Sequence, residues 1–554
     1  MFYLTYKIFS SFSKLERRIL IGAFLIFILS SFFIALNFYY SATKEQPARG
    51  GIYIEGEVGQ PTFINPLIAN ISDIDLDLIE ILFDNLLNLT DNYKISQDNK
   101  TWTIFLKKDL KWDDGKELTA DDVLFTIKII QDPDTRSPLF LSWQGIEVEK
   151  IGDSEIRFIL PKPYAFFIDN LRSLKIVPQH IFGNIPAANL KLSQYNLEPV
   201  ASGPYRFKNI VTEKDGFIQE MSLIKNPLYH GNPPFIDNFI FKFYRNEQDL
   251  IQDFNTKKIS GFGGLNPQNI NEIKISHKLA NLSLPRYYAV FFNSNTNPVL
   301  QNNEVREALT FATNRAKIIK RVFNEHASLA DGPIPSNVTG YNKDVYQNDR
   351  FSIQQAQEIL EKNGWLLNPE DGIRYKTVNK IRQKLEFEII TPQIPFLIET
   401  VDLIKDDWNK IGVKINSATL PLSDISREVL RTRNYQLLIF GNILNNNPDV
   451  LSFWHSSERL YPGLNLSLYN NKDADNALIN IRQEINPDKR QLELDKLQNI
   501  IYKENPAVFL FNPNYIYVTN SDLLGFNASS ITTPAHRFEK IAEWHLKTER
   551  RFAN

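Results

Sequence analysis

The hydrophobic pattern begins with one long apolar run, which covers residues 19–40 and contains no charged side chain. Its length suits the roughly 20 residues that a helix needs to cross about 30 Å of hydrocarbon. Four basic side chains and a single acidic one precede the run within residues 1–18. By the positive-inside rule, this imbalance predicts a cytoplasmic N-terminus over residues 1–18 and an extracytoplasmic location for the chain after the run.

A cleaved signal peptide is the alternative for such a run. The run is longer than the apolar core of a usual signal peptide, and its end, NFYY at residues 37–40, lacks the small residues of a cleavage site. We therefore expect residues 19–40 to stay on the protein as a single transmembrane anchor. Residues 41–49 would then form a polar linker, in which Pro47 limits any continuation of the helix.

After residue 50 the apolar positions follow short periods, and no second run approaches membrane length. Alternation with a period of two residues predicts strands at residues 102–106, 156–160, 239–243 and 385–389. Helical patterns lie between such strands. Strands and helices interspersed over this length predict a mixed α/β or α+β body.

Three helices have ends that the sequence marks. Residues 119–122, Thr-Ala-Asp-Asp, form a capping box before an apolar face. Residues 352–355 open a second helix, which a left-handed cap at residues 363–364, Asn-Gly, should end. The third helix begins at Pro487 and ends before Pro506. These boundaries are predictions that the backbone can test directly.

Length and composition narrow the class of protein. A single hydrophobic core stops growing at roughly 250–300 residues, so 554 residues predict two large lobes. Because a net charge of −2 gives the protein no positive electrostatic potential overall, we expect no nucleic-acid partner. The chain has no cysteine, which excludes disulfides, thiolate metal sites, a cysteine nucleophile and a lipid-modified N-terminal cysteine.

The sequence shows no catalytic or metal-binding motif. Its seven histidines form no HExxH pair, and neither a GxSxG elbow nor a GxxxxGK[ST] loop occurs. Residues 261–264 lack the GxGxxG spacing and are interpreted as a turn. Asp73, Asp75 and Asp77 lack the glycine and the final glutamate of a calcium loop, and are interpreted as a helix N-terminus. We expect no enzyme, metal or cofactor; a catalytic triad assembled from distant residues stays open as an alternative.

A family resemblance is strongest in residues 102–123, WTIFLKKDLKWDDGKELTADDV, where a strand leads through a basic stretch and an Asp-Gly turn to a capped helix. The shorter stretches that also match, in the family's order, are 61–67 (PTFINPL), 81–87 (ILFDNLL), 203–205 (GPY), 226–229 (NPLY), 305–319 (VREALTFATNRAKII), 356–365 (AQEILEKNGW), 447–456 (NPDVLSFWHS) and 466–482. On these stretches the ectodomain resembles the peptide-type (family 5) extracellular solute-binding proteins of ABC importers.

The resemblance implies a two-lobed, periplasmic-binding-protein type II-like fold with a broad cleft between the lobes. Lobe 1 would comprise residues 50–82, 199–293 and 515–554, a subdomain of residues 83–198 would be inserted in it, and lobe 2 would span residues 294–514. A ligand would receive backbone hydrogen bonds as an added strand, and bending at a hinge would bury it.

By position in the family's motifs, six residues are expected to contact the ligand. They are Asn70 and Ile71 in lobe 1, and Asn442, Asn445, Asp449 and Trp454 in lobe 2. Peptide-binding members often hold the ammonium of the peptide with an aspartate where Asn445 stands here. An asparagine brings no full charge, so the preference for a free amine should be weak. Asp449 is the alternative anchor for the ammonium.

The function that the resemblance implies is capture of peptides, or of similar extended solutes, for the permease of an ABC transporter. The protein would be a monomer on the outer side of the membrane, held by its N-terminal helix. Three alternatives stay open: a non-peptide solute such as an oligosaccharide or a metal chelate, an envelope sensor without a transport role, and an anchored hydrolase.

Overall fold

The fold mixes strands and helices along the whole chain in the computed structural model, which describes residues 11–69, 72–346, 350–445 and 447–552. The strands are β1 (Thr43–Ala48), β2 (Ile52–Val58), β3 (Thr90–Ile95), β4 (Thr101–Leu106), β5 (Glu147–Gly152), β6 (Glu155–Ile159), β7 (Tyr205–Thr212), β8 (Ile218–Lys225), β9 (Asn238–Tyr244), β10 (Gly261–Gly263), β11 (His277–Leu282), β12 (Arg286–Phe292), β13 (Ala327–Leu329), β14 (Leu366–Leu367), β15 (Arg374–Val378), β16 (Ile381–Lys384), β17 (Glu386–Pro392), β18 (Lys414–Leu420), β19 (Leu437–Ile443), β20 (Ala507–Pro513), β21 (Tyr515–Asn520) and β22 (Lys547–Phe552). The α-helices are α1 (Lys14–Ala42), α2 (Asp73–Leu82), α3 (Leu86–Leu89), α4 (Ala120–Gln131), α5 (Phe140–Trp143), α6 (Phe167–Ser173), α7 (Gln179–Phe182), α8 (Glu247–Asn255), α9 (Asn303–Ala312), α10 (Arg315–Phe323), α11 (Ile353–Lys362), α12 (Pro395–Asn409), α13 (Leu422–Asp424), α14 (Leu451–Trp454), α15 (Lys472–Gln483) and α16 (Pro487–Glu504).

The N-terminal apolar run lies in α1, of which no residue is buried. Its mean hydropathy of 2.8 and its length suit a membrane span. The prediction of one N-terminal apolar helix is confirmed, and the helix is longer than residues 19–40 because a capping box between Ser13 and Glu16 begins it earlier. Residues 43–48, which the sequence analysis placed in a linker, form β1 and pair with β22.

Lobe 1 is built on a seven-stranded sheet in the order β11-β21-β10-β2-β9-β8-β7. Phe239, Phe241 and Phe243 on β9 are buried and alternate with partly exposed neighbours, as the period of two predicts. Strand β10, which lies between β21 and β2, covers residues 261–263, so the interpretation of this segment as a turn was wrong. A Cβ on Gly261 would lie 2.2 Å from the hydroxyl oxygen of Tyr53, which explains the glycine by close packing.

The inserted subdomain contains a four-stranded antiparallel sheet in the order β3-β4-β6-β5. The Asp122 carboxylate accepts a hydrogen bond from the Thr119 amide at 2.9 Å, and the Thr119 hydroxyl accepts one from the Asp121 amide at 3.3 Å. The predicted capping box therefore begins α4. The other two marked helices are confirmed as well, since α11 follows Ser352 and precedes Gly364 at φ +81°, and α16 begins at Pro487.

Lobe 2 is built on a six-stranded sheet in the order β13-β20-β12-β19-β17-β18. Strand β12 pairs with both β19 and β20. The sequence analysis extended lobe 1 to residue 293, whereas this pairing puts residues 286–292 in the sheet of lobe 2. The chain therefore crosses between the lobes at residues 283–285, and it returns at Asn514, between β20 and β21.

The two crossings lie side by side and are bonded to each other. The Asn512 amide group donates to the Leu284 carbonyl at 2.7 Å, and the Arg286 guanidinium donates to the Pro513 carbonyl at 3.1 Å. We call this double crossing, residues 283–286 with residues 512–515, the hinge.

A buried ion cluster joins the N-terminal and C-terminal segments of lobe 1. The guanidinium of Arg537, which is fully buried, donates to Asp77 at 2.7 and 2.9 Å, to Glu55 at 3.0 Å and to Glu57 at 2.6 Å. The Tyr517 hydroxyl donates to the other oxygen of Glu55 at 2.9 Å. Three carboxylates thus share one guanidinium in a dry environment, which disfavours full ionisation of all three.

Burial raises the pKa of two of these acids. Burial, opposed by Arg537, raises the pKa of Glu55 to about 7. Burial and the Asp77 charge raise the pKa of Glu57 well above its usual range. An acid whose pKa is raised in the folded state stabilises the fold fully below its unfolded pKa, and this stabilisation is lost as the pH rises through the folded pKa.

We expect Glu55 to lower the free energy of unfolding of lobe 1 by up to about 3 kcal/mol between pH 5 and pH 8, because its pKa rises from 4.5 to about 7 on folding. Urea denaturation at stepped pH measures this. Glu55→Gln should make the slope shallower between pH 5 and pH 7, whereas Glu428→Gln on the surface should leave it unchanged. Asp113, whose pKa burial raises to about 6, and Glu57, whose pKa burial raises well above its usual range, also lower the stability as the pH rises, and both do so in either variant. A slope in Glu55→Gln as steep as that of the unaltered protein between pH 5 and pH 7 would contradict the assignment.

Candidate ligand-binding cleft

A cavity of about 550 Å³ lies between the inserted subdomain and lobe 2. The residues that line it include Leu141, Ser142, Gln144, Leu160, Tyr164, Asn170, Ile443, Asn445, Asp449, Phe453, Leu464 and Arg482. Leu141, from the inserted subdomain, and Ile443, from lobe 2, both line the cavity and are 81% and 67% exposed. Apolar walls with a few polar groups are typical of a cleft that holds a small organic ligand.

The end of β19 forms one wall of this cavity and presents an open strand edge. On one side β19 pairs with β12 as far as Ile443, opposite Arg286. On the other side, among the residues that the structure describes, the pairing with β17 ends at Leu438, opposite Ile390. Among the described residues, no named strand pairs with residues 439–443 on that side.

The buried hydroxyl of Tyr287 contacts the wall of the cavity from the side of the core. The side-chain amide of Asn442 donates to the Tyr287 hydroxyl at 2.8 Å, and the indole of Trp454 donates to the same oxygen at 3.1 Å. All three side chains are buried. Tyr287 therefore fixes both β19 and α14 against β12 by way of a single oxygen atom.

An ion pair within lobe 2 lines the cavity and accepts a hydrogen bond from the inserted subdomain. The Arg482 guanidinium donates to Asp449 at 2.9 and 3.0 Å, and the Tyr164 hydroxyl donates to the same carboxylate at 3.0 Å. Burial and the Asp449 charge raise the pKa of Tyr164, so the phenol stays protonated and keeps donating. Asp449 is nearly buried and already fully partnered, which leaves little capacity for a ligand ammonium.

Further contacts dock the same loop of the inserted subdomain on lobe 2. The Ala165 amide donates to the Arg482 carbonyl at 2.8 Å, and the Asn447 side chain donates to Asp169 at 3.1 Å. Arg490 lies over the Phe166 ring at 5.1 Å. This end of the cleft is therefore closed.

A second cavity, of about 440 Å³, lies in lobe 1 beside the hinge. Residues 72–74, Gly263, Gly264 and Tyr515 contribute to its wall. The predicted contacts Asn70 and Ile71 directly precede this wall in sequence but lie outside the described residues. The wall is acidic, since Glu57, Asp73 and Glu247 all line it.

The structure brings only part of the predicted site together. Asn445 and Asp449 line the larger cavity, whereas the side chains of Asn442 and Trp454 are buried behind its wall. Whether these residues contact a ligand stays a prediction. Tyr164 and Arg482 were missed, because no local pattern indicates that residues so far apart share a carboxylate. Within the described part of the chain, no group of three or more acidic or histidine side chains is placed to hold a metal ion.

Comparison with known proteins adds the family context. The model of the family described as "Bacterial extracellular solute-binding proteins, family 5 Middle" matches residues 87–459. The oligopeptide-binding protein AppA of Bacillus subtilis is 27% identical over 525 residues, which cover 90% of this chain and 92% of that protein.

Two solved structures show the same fold. The structure of B. subtilis AppA in complex with a nonapeptide has a TM-score of 0.69 and 25% identity, and the match covers 91% of this chain and 100% of AppA. The structure of NikZ from Campylobacter jejuni in complex with Ni(L-His) has a TM-score of 0.70 and 23% identity, with coverage of 89% and 99%. The two-lobed α/β fold expected from the sequence is thus confirmed.

Proposed function

We propose that this chain, which belongs to the bacterial extracellular solute-binding proteins of family 5, captures peptides or similarly extended solutes and delivers them to the permease of an ABC importer. The single observation that carries the proposal is the open edge of β19 beside a cavity of about 550 Å³. A peptide needs partners for its backbone N–H and C=O groups once it leaves water, and an open strand edge supplies them. The complex of the related AppA with a nonapeptide supports an extended ligand.

In the proposed mechanism, the lobes close about the hinge and bury the ligand, and the permease recognises the closed form. Helix α1 holds the protein to the membrane, with the cleft on the extracytoplasmic side. Asn445 borders the ligand directly. Asn442 and Trp454 hold the wall through Tyr287, and Asn442 offers its backbone to the ligand. Asn70 and Ile71 would supply the opposing contacts from lobe 1.

The charges at the cleft predict how strongly the protein distinguishes a peptide with a free amine from one without it. Asn445 brings no full charge, and Asp449 is bound by Arg482 and Tyr164. We therefore expect N-acetylated and free-amine forms of a peptide to bind within about tenfold of each other, or roughly 1.4 kcal/mol. Calorimetry of the detergent-solubilised full chain with matched peptide pairs measures this, and the peptides should be recovered intact.

The variant Asn445→Asp sharpens the test. A carboxylate at this position should raise the preference for the free amine by at least about tenfold, because charge-assisted hydrogen bonds are about twice as strong as neutral ones. Asn209→Asp, on the exposed part of β7, is the matched control and should change nothing. A hundredfold free-amine preference in the unaltered protein would show that another acid anchors the ammonium. If no peptide binds, the ligand is a non-peptide solute, as in the NikZ complex.

A further inference from the structure

The pairing of β1 with β22 creates a two-stranded ribbon that stands apart from both lobes. Its register runs from Thr43 opposite Phe552 to Ala48 opposite Lys547, and no third strand joins it among the described residues. Thr43 is the one buried residue of the two strands. A two-stranded ribbon without a packed face is marginally stable in water, so a further surface is needed to hold it.

The ribbon is bound tightly to the end of α1. The Arg550 guanidinium donates to the Tyr40 carbonyl at 3.0 Å, the Thr43 carbonyl at 2.9 Å and the Thr43 hydroxyl at 2.9 Å. It also lies 4.6 Å from the centre of the Tyr40 ring. These bonds satisfy carbonyls that the last turn of the helix leaves free. The ribbon therefore begins where the apolar helix ends, without a flexible segment between them.

The side chains of the ribbon match a membrane interface. Tyr39, Tyr40 and Phe552 expose their rings around the end of the helix, and Phe552 is 66% exposed. With Arg49, the ribbon carries five basic and two acidic side chains, in a chain whose net charge is −2. Aromatic rings at the headgroup level and basic side chains near anionic headgroups are the groups that hold proteins at a bilayer surface.

We propose that the β1–β22 ribbon lies in the headgroup layer of the extracytoplasmic leaflet and binds anionic phospholipid headgroups. The proposal rests on the proposed membrane anchor. The ribbon ties the C-terminus of lobe 1 to the bilayer as well as its N-terminus, so the ectodomain is held at two points and the orientation of the cleft to the membrane is fixed.

The absence of cysteine allows a direct test with single labels on the full chain. The variant Gln46→Cys, on β1, is labelled with an environment-sensitive fluorophore and reconstituted into phosphatidylcholine vesicles with and without phosphatidylglycerol. Lys214→Cys, on the β7–β8 turn, is the reference. With phosphatidylglycerol, quenching by a headgroup-labelled lipid should be at least about threefold stronger at residue 46 than at residue 214. A label at Thr548→Cys, on the partner strand, should give the same result.

Substitution of basic side chains tests whether their charge, and not only the position of the ribbon beside the bilayer, determines the quenching. Lys547→Gln with Arg551→Gln should at least halve the quenching at residue 46 while the protein stays in the vesicles. Lys128→Gln with Lys362→Gln, on the body, should leave it unchanged. Equal quenching at residues 46 and 214 in membrane-bound protein, or no effect of phosphatidylglycerol, would overturn the ribbon proposal alone. Release of the protein by alkaline carbonate would overturn the anchor and the ribbon together.

Discussion

Replacement of Arg537 by methionine is expected to lower the free energy of unfolding of lobe 1 by about 3–5 kcal/mol, because removal of one partner leaves buried charge uncompensated. The guanidinium is shared by Asp77, Glu55 and Glu57, and all four side chains lie away from water. Chemical denaturation followed by tryptophan fluorescence, to which Trp544 in the core of the same lobe contributes, measures the effect.

The control for this prediction is an arginine whose ion pairs lie in water. Arg427 pairs with Asp424 and Glu428 while it is 66% exposed. Arg427→Met should cost between 0 and about 1 kcal/mol, since exposed pairs contribute little. An equal loss in both variants would show that the buried cluster contributes no more than a surface pair.

The variant Tyr287→Phe is expected to lower the free energy of unfolding of lobe 2 by about 2–4 kcal/mol. It leaves the donors of Asn442 and Trp454 buried without a partner, and each such group costs about 1–3 kcal/mol. Because these residues hold the wall of the cleft, peptide binding should weaken as well. Denaturation and calorimetry on the same preparation measure the two effects.

Tyr205→Phe is the matched control for Tyr287→Phe. The Tyr205 hydroxyl is buried in lobe 1 and donates to one carbonyl, that of Ile236, at 3.0 Å. Its loss leaves a single acceptor without a partner and should cost about 1–2 kcal/mol, with peptide affinity unchanged. Unchanged stability in Tyr287→Phe would mean that the two donors find other partners, and would remove Tyr287 from the support of the cleft.

Local signals in the sequence predicted the local structure well. Helices α4, α11 and α16 begin where Thr119, Ser352 and Pro487 indicate, because a cap involves only the three or four residues around it. The strands with a period of two residues were found for the same reason, since one buried face determines the pattern. The apolar helix could be predicted from the composition and length of residues 19–40 alone.

Contacts between residues that lie far apart in the chain could not be predicted from the sequence. Asp73, Asp75 and Asp77 were interpreted together as a helix N-terminus, and Asp77 proves to be a partner of Arg537, 460 residues away. The motif at residues 447–456 pointed to the cleft, but not to which side chains face it. Trp454 faces the core because its ring packs against Tyr469 and Phe509, and Phe509 lies 55 residues further along the chain.

The hinge also determines how a ligand would leave. The two crossing segments are joined by side-chain bonds to the Leu284 and Pro513 carbonyls, so bending about the pair of segments would keep these bonds, whereas twisting or sliding of the lobes would break them. On the proposed function, this bending would open the cleft along its whole length, and a bound ligand would leave through the same motion that admits it.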